Sequence, residues 1–237
     1  VKVIQQANNR KLTVSNKNDK LWIQLDSLPF GYHHEIIVKG IKDCWGNLTD
    51  PDTLVLLKGA MPTFGDIVMS EIMYDPRPSQ GLPEEEYIEL FNTTELLIDL
   101  NEVDLIHKGD TIRLSGEISA GAYLVLSPSV DAFELENIIK INFKSLDNKE
   151  GRLLLSKGSN LISGLTYSSG WHRLPTASSG GIALESIDPH KFCDGGFNWS
   201  SSKDIRGGTP GCQNTIFASR TDDKPPTLVS VRATAID

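Results

Sequence analysis

The sequence predicts an all-β fold, a β-sandwich built from short strands, and three observations carry that prediction. Nine short runs are apolar or alternate apolar with polar residues: LWIQLDSL (21–28), HEIIVKGI (34–41), DTLVLLKG (52–59), DIVMSEIMY (66–74), EYIELFN (86–92), YLVLS (123–127), RLLLS (152–156), LISGLTY (161–167) and IALESID (182–188). Clusters of Gly, Pro, Asn and Asp separate them at near-regular spacing, as in sandwiches and barrels rather than βαβ units. Helical periodicity is almost absent. DAFELENII (131–139), with Ser127 or Ser129 as a cap, is the candidate for one short helix or a bent loop. No Gly-rich phosphate loop leads into a helical pattern.

Individual elements follow from alternation. In EYIELFN, side chains of a strand point alternately to its two faces, which sends Tyr87, Glu89 and Phe91 one way and Ile88 and Leu90 the other. In AGAYLVL a Gly turn leads into a strand with Leu124 and Leu126 on one side. Trp199, in the otherwise polar FNWS, reads as a plug over one end of the sandwich. GGTPG (207–211) suits a tight closing loop with left-handed backbone at glycine.

Hydrophobic residues make up 39% of the 237, enough for real cores, and no stretch approaches the apolar length of a membrane span. The net charge is −8 and uneven: residues 1–63 carry eight Lys/Arg and six Asp/Glu, the remainder 15 and 25. A field of that sign repels phosphate backbones, so no nucleic acid partner is expected.

Residues 66–102 hold ten acidic side chains against Arg77 alone, and Glu71 and Glu89 sit inside apolar strands, where an unpaired carboxylate is costly. One reading is a calcium site with oxygen ligands from Glu71, Asp75, Glu86 and Glu89. The other has Glu71 and Glu89 accepting loop N–H bonds while Glu84–Glu86 form a solvated face. A glycosidase-type pair of Glu71 and Glu89 requires a sugar cleft between them, which no motif indicates. His33 and His34 are adjacent on a strand and face opposite ways, so they do not chelate one ion together. No catalytic residues and no enzyme activity are expected.

The three cysteines form no CxxC, which excludes a zinc ribbon or a thioredoxin-type site. They are either buried apolar thiols or, in an oxidising compartment, a Cys193–Cys212 disulfide with Cys44 left free. Such a bridge would stabilise the fold by about 3 kcal/mol in the loop-entropy model. Asn47, Asn92 and Asn198 head Asn-x-Ser/Thr triplets.

The central block resembles the bacterial branch of the lamin tail domain family. GDIVMSEIMYDPRP, EEEYIELFNTTELLIDL, LSGEISAGAYLVLS, NKEGRLLLSKGSNLISGLTY, GGIALESIDP and FNWSSSKDIRGGTPGCQN occur in the family's order over residues 65–214, with Val103 where the family usually places Trp. The resemblance implies an immunoglobulin-like sandwich without catalytic residues. GYHHEIIVKGIKDCWGNLTD and DKPPTLVSVRATAID are similar to bacterial Ig-like repeats of surface-layer type. The expected organisation is therefore a partial Ig-like domain over 1–62, the lamin-tail-like domain over 63–217, and a linker with the first strand of a further repeat over 218–237.

This combination implies an exported bacterial envelope protein, secreted, periplasmic or at the outer surface. The expected role is an interaction or scaffold module that binds a protein or glycan partner. The alternative is an accessory binding domain of a larger secreted hydrolase. The strand in PPTLVSVRATAID is expected to pair with the N-terminal sheet of a neighbouring molecule, giving a strand-swapped oligomer.

Overall fold

The computed structural model describes residues 2–5, 12–17, 20–25, 28–42, 45–174 and 180–221. It is all-β, its strands gathered in several sheets. At the N-terminal end β1 (Lys2–Gln5), β4 (Tyr32–Lys39) and β5 (Asp52–Lys58) pair antiparallel in the order β1-β4-β5, and β2 (Leu12–Lys17) pairs with β3 (Lys20–Leu25) as a hairpin. In β4, Ile36 and Val38 are buried with His34, whose Nε2 lies 3.0 Å from the Pro29 carbonyl, while His33 is exposed. The two imidazoles thus face opposite ways, as alternation requires. β5 lies at the sheet edge and leaves Leu54, Val55, Leu56 and Leu57 38–55% exposed.

Most of the remaining described residues form two larger sheets packed face to face. One has six strands: β6 (Ile67–Met73), β7 (Tyr87–Asn92), β12 (Tyr123–Ser127), β13 (Ile138–Lys140), β16 (Leu184–Ser186) and β17 (Trp199–Ser201). Their order is β13-β12-β7-β6-β16-β17, with the β12–β13 pair parallel. The other has four: β9 (Asp104–His107), β10 (Asp110–Arg113), β14 (Glu150–Lys157) and β15 (Asn160–Ser168), ordered β10-β9-β14-β15. β8 (Ile98–Asp99) and β11 (Glu117–Ile118) make a short antiparallel pair.

One apolar core fills the space between the two sheets. From the six-stranded sheet come Ile67, Met69, Ile72, Ile88, Leu90, Leu124, Leu126 and Leu184; from the four-stranded sheet come Leu105, Leu153, Leu155, Leu165 and Tyr167. Val103 is fully buried in this core. Tyr74 stacks on Tyr167 with ring centroids 5.5 Å apart. Burying each Leu contributes about 2 kcal/mol, so this core is the main stabilising term of the sandwich.

The stretch 58–66 is stitched to the sandwich by hydrogen bonds. The Ala60 amide donates to Leu97 O at 2.8 Å, and the Asp99 amide donates to Ala60 O at 2.8 Å. Of the two readings of 131–139 the short helix does not form: a 3-10 turn at Val130–Ala132 leads through a bent stretch into the strand β13. Phe133 explains this, because it is drawn under the sheet beside Tyr87 rather than onto a helical stripe. Trp199 is not an end plug but a β17 residue inside the main core, 2% exposed and 6.1 Å from Trp171. Among the described residues no helix is long and apolar enough to cross a membrane. Residues 222–237, with the expected swapped strand, and Cys44 lie outside the described residues.

Candidate functional site

A one-residue irregularity in β6 creates the site. Ile67, Met69, Ile72 and Tyr74 point into the main core, and strict alternation would send Glu71 there as well. Between Met69 and Glu71 the register with β7 shifts, so Ser70 stands as an extra bulged residue and Glu71 turns to the outer face. Glu71 then pairs directly with Glu89 of β7 on one side and with Glu185 of β16 on the other. Three carboxyl groups therefore form a row across three neighbouring strands, and all three residues are fully buried.

The cover is the segment around GGTPG. The Thr209 amide donates to Glu71 Oε1 at 2.9 Å, and the Gly211 amide donates to Glu89 Oε2 at 2.6 Å. Glu185 Oε2 accepts from the Thr215 hydroxyl at 2.8 Å and from the Ile216 amide at 3.2 Å. From the sheet itself, the Tyr87 hydroxyl donates to Glu71 Oε1 at 2.6 Å, and the Ser70 hydroxyl donates to Glu89 Oε1 at 2.6 Å. Thr209 Oγ1 sits 3.1 Å from both Glu71 Oε2 and Glu185 Oε1. Gly207 and Gly211 have φ of +97° and +80°, the left-handed backbone that lets the loop turn down onto the sheet. At Gly208 a Cβ would collide with Glu71 Oε1 and the Tyr87 hydroxyl, so the loop needs glycine there for contact as well. Around the row a small apolar cluster of Met73, Tyr87, Val125, Phe133 and Ala183 excludes water.

No Lys, Arg or His is hydrogen-bonded or ion-paired to this row among the described residues. Burial, with Glu185 alongside, pushes the Glu71 carboxyl up to about 8. Burial and the neighbouring Glu71 hold Glu89 well above the ordinary carboxylate range. Burial and the charge of Glu71 raise the Tyr87 phenol as well.

The four candidate calcium ligands are not brought together. Glu71 and Glu89 lie under the GGTPG cover with every oxygen facing an N–H or O–H group, and a cation would have to displace those donors. Glu86 instead accepts from the Ser145 hydroxyl at 2.7 Å and from the Leu146 amide at 2.9 Å, and Asp75 shares an open hollow with it beside Tyr74. Among the described residues no group of three or more His, Cys, Asp or Glu is arranged to hold a metal. No sugar cleft separates Glu71 from Glu89, because they are direct cross-strand neighbours beneath a loop. Glu185 is the member that a reading confined to the acidic stretch 66–102 misses. Its signal is the same as for Glu71: an acid inside the apolar alternation of IALESID.

Cys193 and Cys212 are free and exposed, and the expected disulfide is absent. The fold separates them. Cys193 lines a trough on the outer side of the four-stranded sheet, whereas Cys212 lies in the cover of the six-stranded one, its amide donating to Thr209 O at 3.0 Å. β17, the edge strand of the six-stranded sheet, lies between the two segments in the chain. Asn92 and Asn198 are fully buried and donate their side-chain amides to backbone carbonyls, Asn92 to Leu96 O and Asn198 to Asp188 O, each at 2.7 Å. Neither leaves room for a sugar.

The trough beside Cys193 has a volume of about 450 Å³. Its floor is the outward row Arg152, Leu154, Gly164 and Thr166 of β14 and β15; its walls are Phe64, Trp171 and Phe192. Phe64 and Phe192 meet edge to face at 5.5 Å. A second hollow adjoins it across Trp171, lined by Gly170, Arg173, Gly196 and Phe197, the last 80% exposed. Comparison of the chain with protein-family models, with curated proteins and with solved structures returns no match in any of the three.

Proposed function

We propose that this chain is a non-catalytic interaction module of an exported bacterial envelope protein, built on an immunoglobulin-like sandwich of lamin-tail type. It binds a protein or glycan partner through the outer face of its four-stranded sheet. The observation that carries this reading is the contrast in how polar groups are used. The row Glu71–Glu89–Glu185, the densest set of buried acids described, is committed to its own loop and offers no substrate a place. The trough over β14 and β15 remains open, with aromatic walls and Arg152 and Thr166 on its floor. Rings for stacking beside a few directional polar groups are what a sugar or an extended peptide requires.

The test is a chemical-shift titration of isotope-labelled protein with neutral and uronate-containing oligosaccharides, followed by detergent-solubilised envelope proteins. The expected result is perturbation centred on Arg152, Leu154, Thr166 and Trp171, abolished by Leu154→Asp. Perturbation of other surfaces, or binding that Leu154→Asp leaves intact, would overturn the assignment of the face.

A further inference from the structure

The hydrogen atoms around Thr209 do not balance if all three glutamates are ionised. Its hydroxyl carries one hydrogen, yet Oγ1 stands 3.1 Å from a carboxyl oxygen on either side, Glu71 Oε2 and Glu185 Oε1. Donation to one carboxylate leaves two lone-pair oxygens facing each other on the other side, in a site sealed from water. One of the two carboxyl groups must bring its own proton. The row decides which. Glu71 is the middle member, opposed by Glu89 and Glu185 at once, whereas Glu185 has Glu71 as its acidic cross-strand neighbour. A proton on Glu71 relieves both repulsions, and a proton on Glu185 relieves one.

We propose that Glu71 carries a proton on Oε2, and that this proton closes the segment 206–217 over the six-stranded sheet, making the cover a pH-responsive latch. The proton runs a directed chain. Glu71 Oε2–H donates to Thr209 Oγ1, whose hydrogen goes to Glu185 Oε1. The charge of Glu185 is held at Oε2 by Thr215 and Ile216. Glu71 Oε1 stays an acceptor for Tyr87 and for the Thr209 amide.

The charged and titratable groups around Glu71 are consistent with this. Tyr87 and Glu89 face it from β7, with Tyr123 of β12 behind Glu89, and Glu185 faces it from β16. From the cover come Cys212 and Arg206, and Arg206 is paired with Asp204, its Nε donating to Oδ1 at 3.0 Å. None supplies Glu71 with a cation.

The sign of the pH dependence follows. A carboxyl that binds its proton more tightly when closed than when open favours the closed form in acid. That advantage is full below the ordinary value of 4.5 and is lost as pH rises toward 8, where the closed form also ionises. Over this window the opening constant rises about tenfold per pH unit for one linked proton, then levels off. Opening uncovers Glu71 and Tyr87, against which Gly208 rests in the closed form.

Two measurements on the whole chain test the latch. The first follows the ¹³Cδ shifts of glutamate in the unmodified protein against pH. The expected result is that the resonance assigned to Glu71, by its loss in Glu71→Gln, stays protonated well above pH 5. Ionisation of Glu71 near the ordinary value, or a high titration belonging to Glu185 instead, would overturn the proposal. The second compares unfolding of the unmodified protein and Glu71→Gln from pH 5 to 9. A glutamine amide can replace Oε2–H as donor to Thr209, so the variant keeps the chain but not the titration. The ratio of the two unfolding constants should change about tenfold per pH unit up to pH 8, in favour of the variant. A ratio independent of pH would contradict the latch. Should Glu71→Gln fail to fold, the glutamate shifts, with Thr209→Val as the assigning variant, still decide.

Discussion

The two outer faces of this sandwich are made from the same kind of strand and are used in opposite ways. On the six-stranded sheet the outward row is Glu71, Glu89 and Glu185, and the chain folds its own segment 206–217 down onto it. On the four-stranded sheet the outward row Arg152, Leu154, Gly164 and Thr166 is left as the floor of an open trough. The difference shows what an acid in a sheet needs. A buried carboxyl without a cation is tolerated where backbone N–H groups are delivered to it, and a glycine-rich loop can deliver them at hydrogen-bond distance. An outward Arg or Thr remains in contact with water and calls for no cover. One face is therefore closed by internal chemistry, and the other is available to a partner.

The sharpest way to break the contrast is at Gly208. Gly208→Ala places a Cβ against Glu71 Oε1 and the Tyr87 hydroxyl, pushing the loop off the row. Steric strain together with lost bonds to buried acids predicts a loss of roughly 3 kcal/mol in denaturant unfolding. Thr209→Val is smaller. It keeps the amide bond to Glu71 but removes the hydroxyl between Glu71 and Glu185, and it should cost about 2 kcal/mol. On the open face, Arg152→Glu and Thr166→Ala should stay within about 0.5 kcal/mol of the parent, since both residues are exposed. A cost at Arg152 or Thr166 comparable to that at Thr209 would erase the distinction between the faces.

Much of this was legible in the sequence because it is local. All nine apolar runs overlap a strand, and alternation in EYIELFN puts Ile88 and Leu90 in the core and Tyr87 and Glu89 outside it. The reading of Glu71 and Glu89 as acceptors of loop N–H bonds was available for the same reason: an acid in an apolar strand needs donors. What was not legible depends on pairing. The two-residue strands β8 and β11 are too short for a pattern. β13 forms by lying parallel to β12, which no feature of 131–139 announces. The bulge at Ser70 appears only in the register with β7, and without it Glu71 would point into the core. Glu185 joins the row because β16 lies beside β6, a neighbourhood set by sheet order over more than a hundred residues of chain. Cys193 and Cys212, near in sequence, end on opposite faces for a similar reason.

Segment 206–217 is a clasp held by buried acids rather than an ordinary surface loop. Native-state hydrogen exchange at pH 5 tests it most directly, through the amides of Thr209, Gly211 and Ile216. These three are expected to exchange with protection approaching that of Ile88 and Leu90 in β7, and Gly208→Ala is expected to remove it. Exchange of all three at the rate of an unprotected loop, with β7 still protected, would show that the segment is not a clasp.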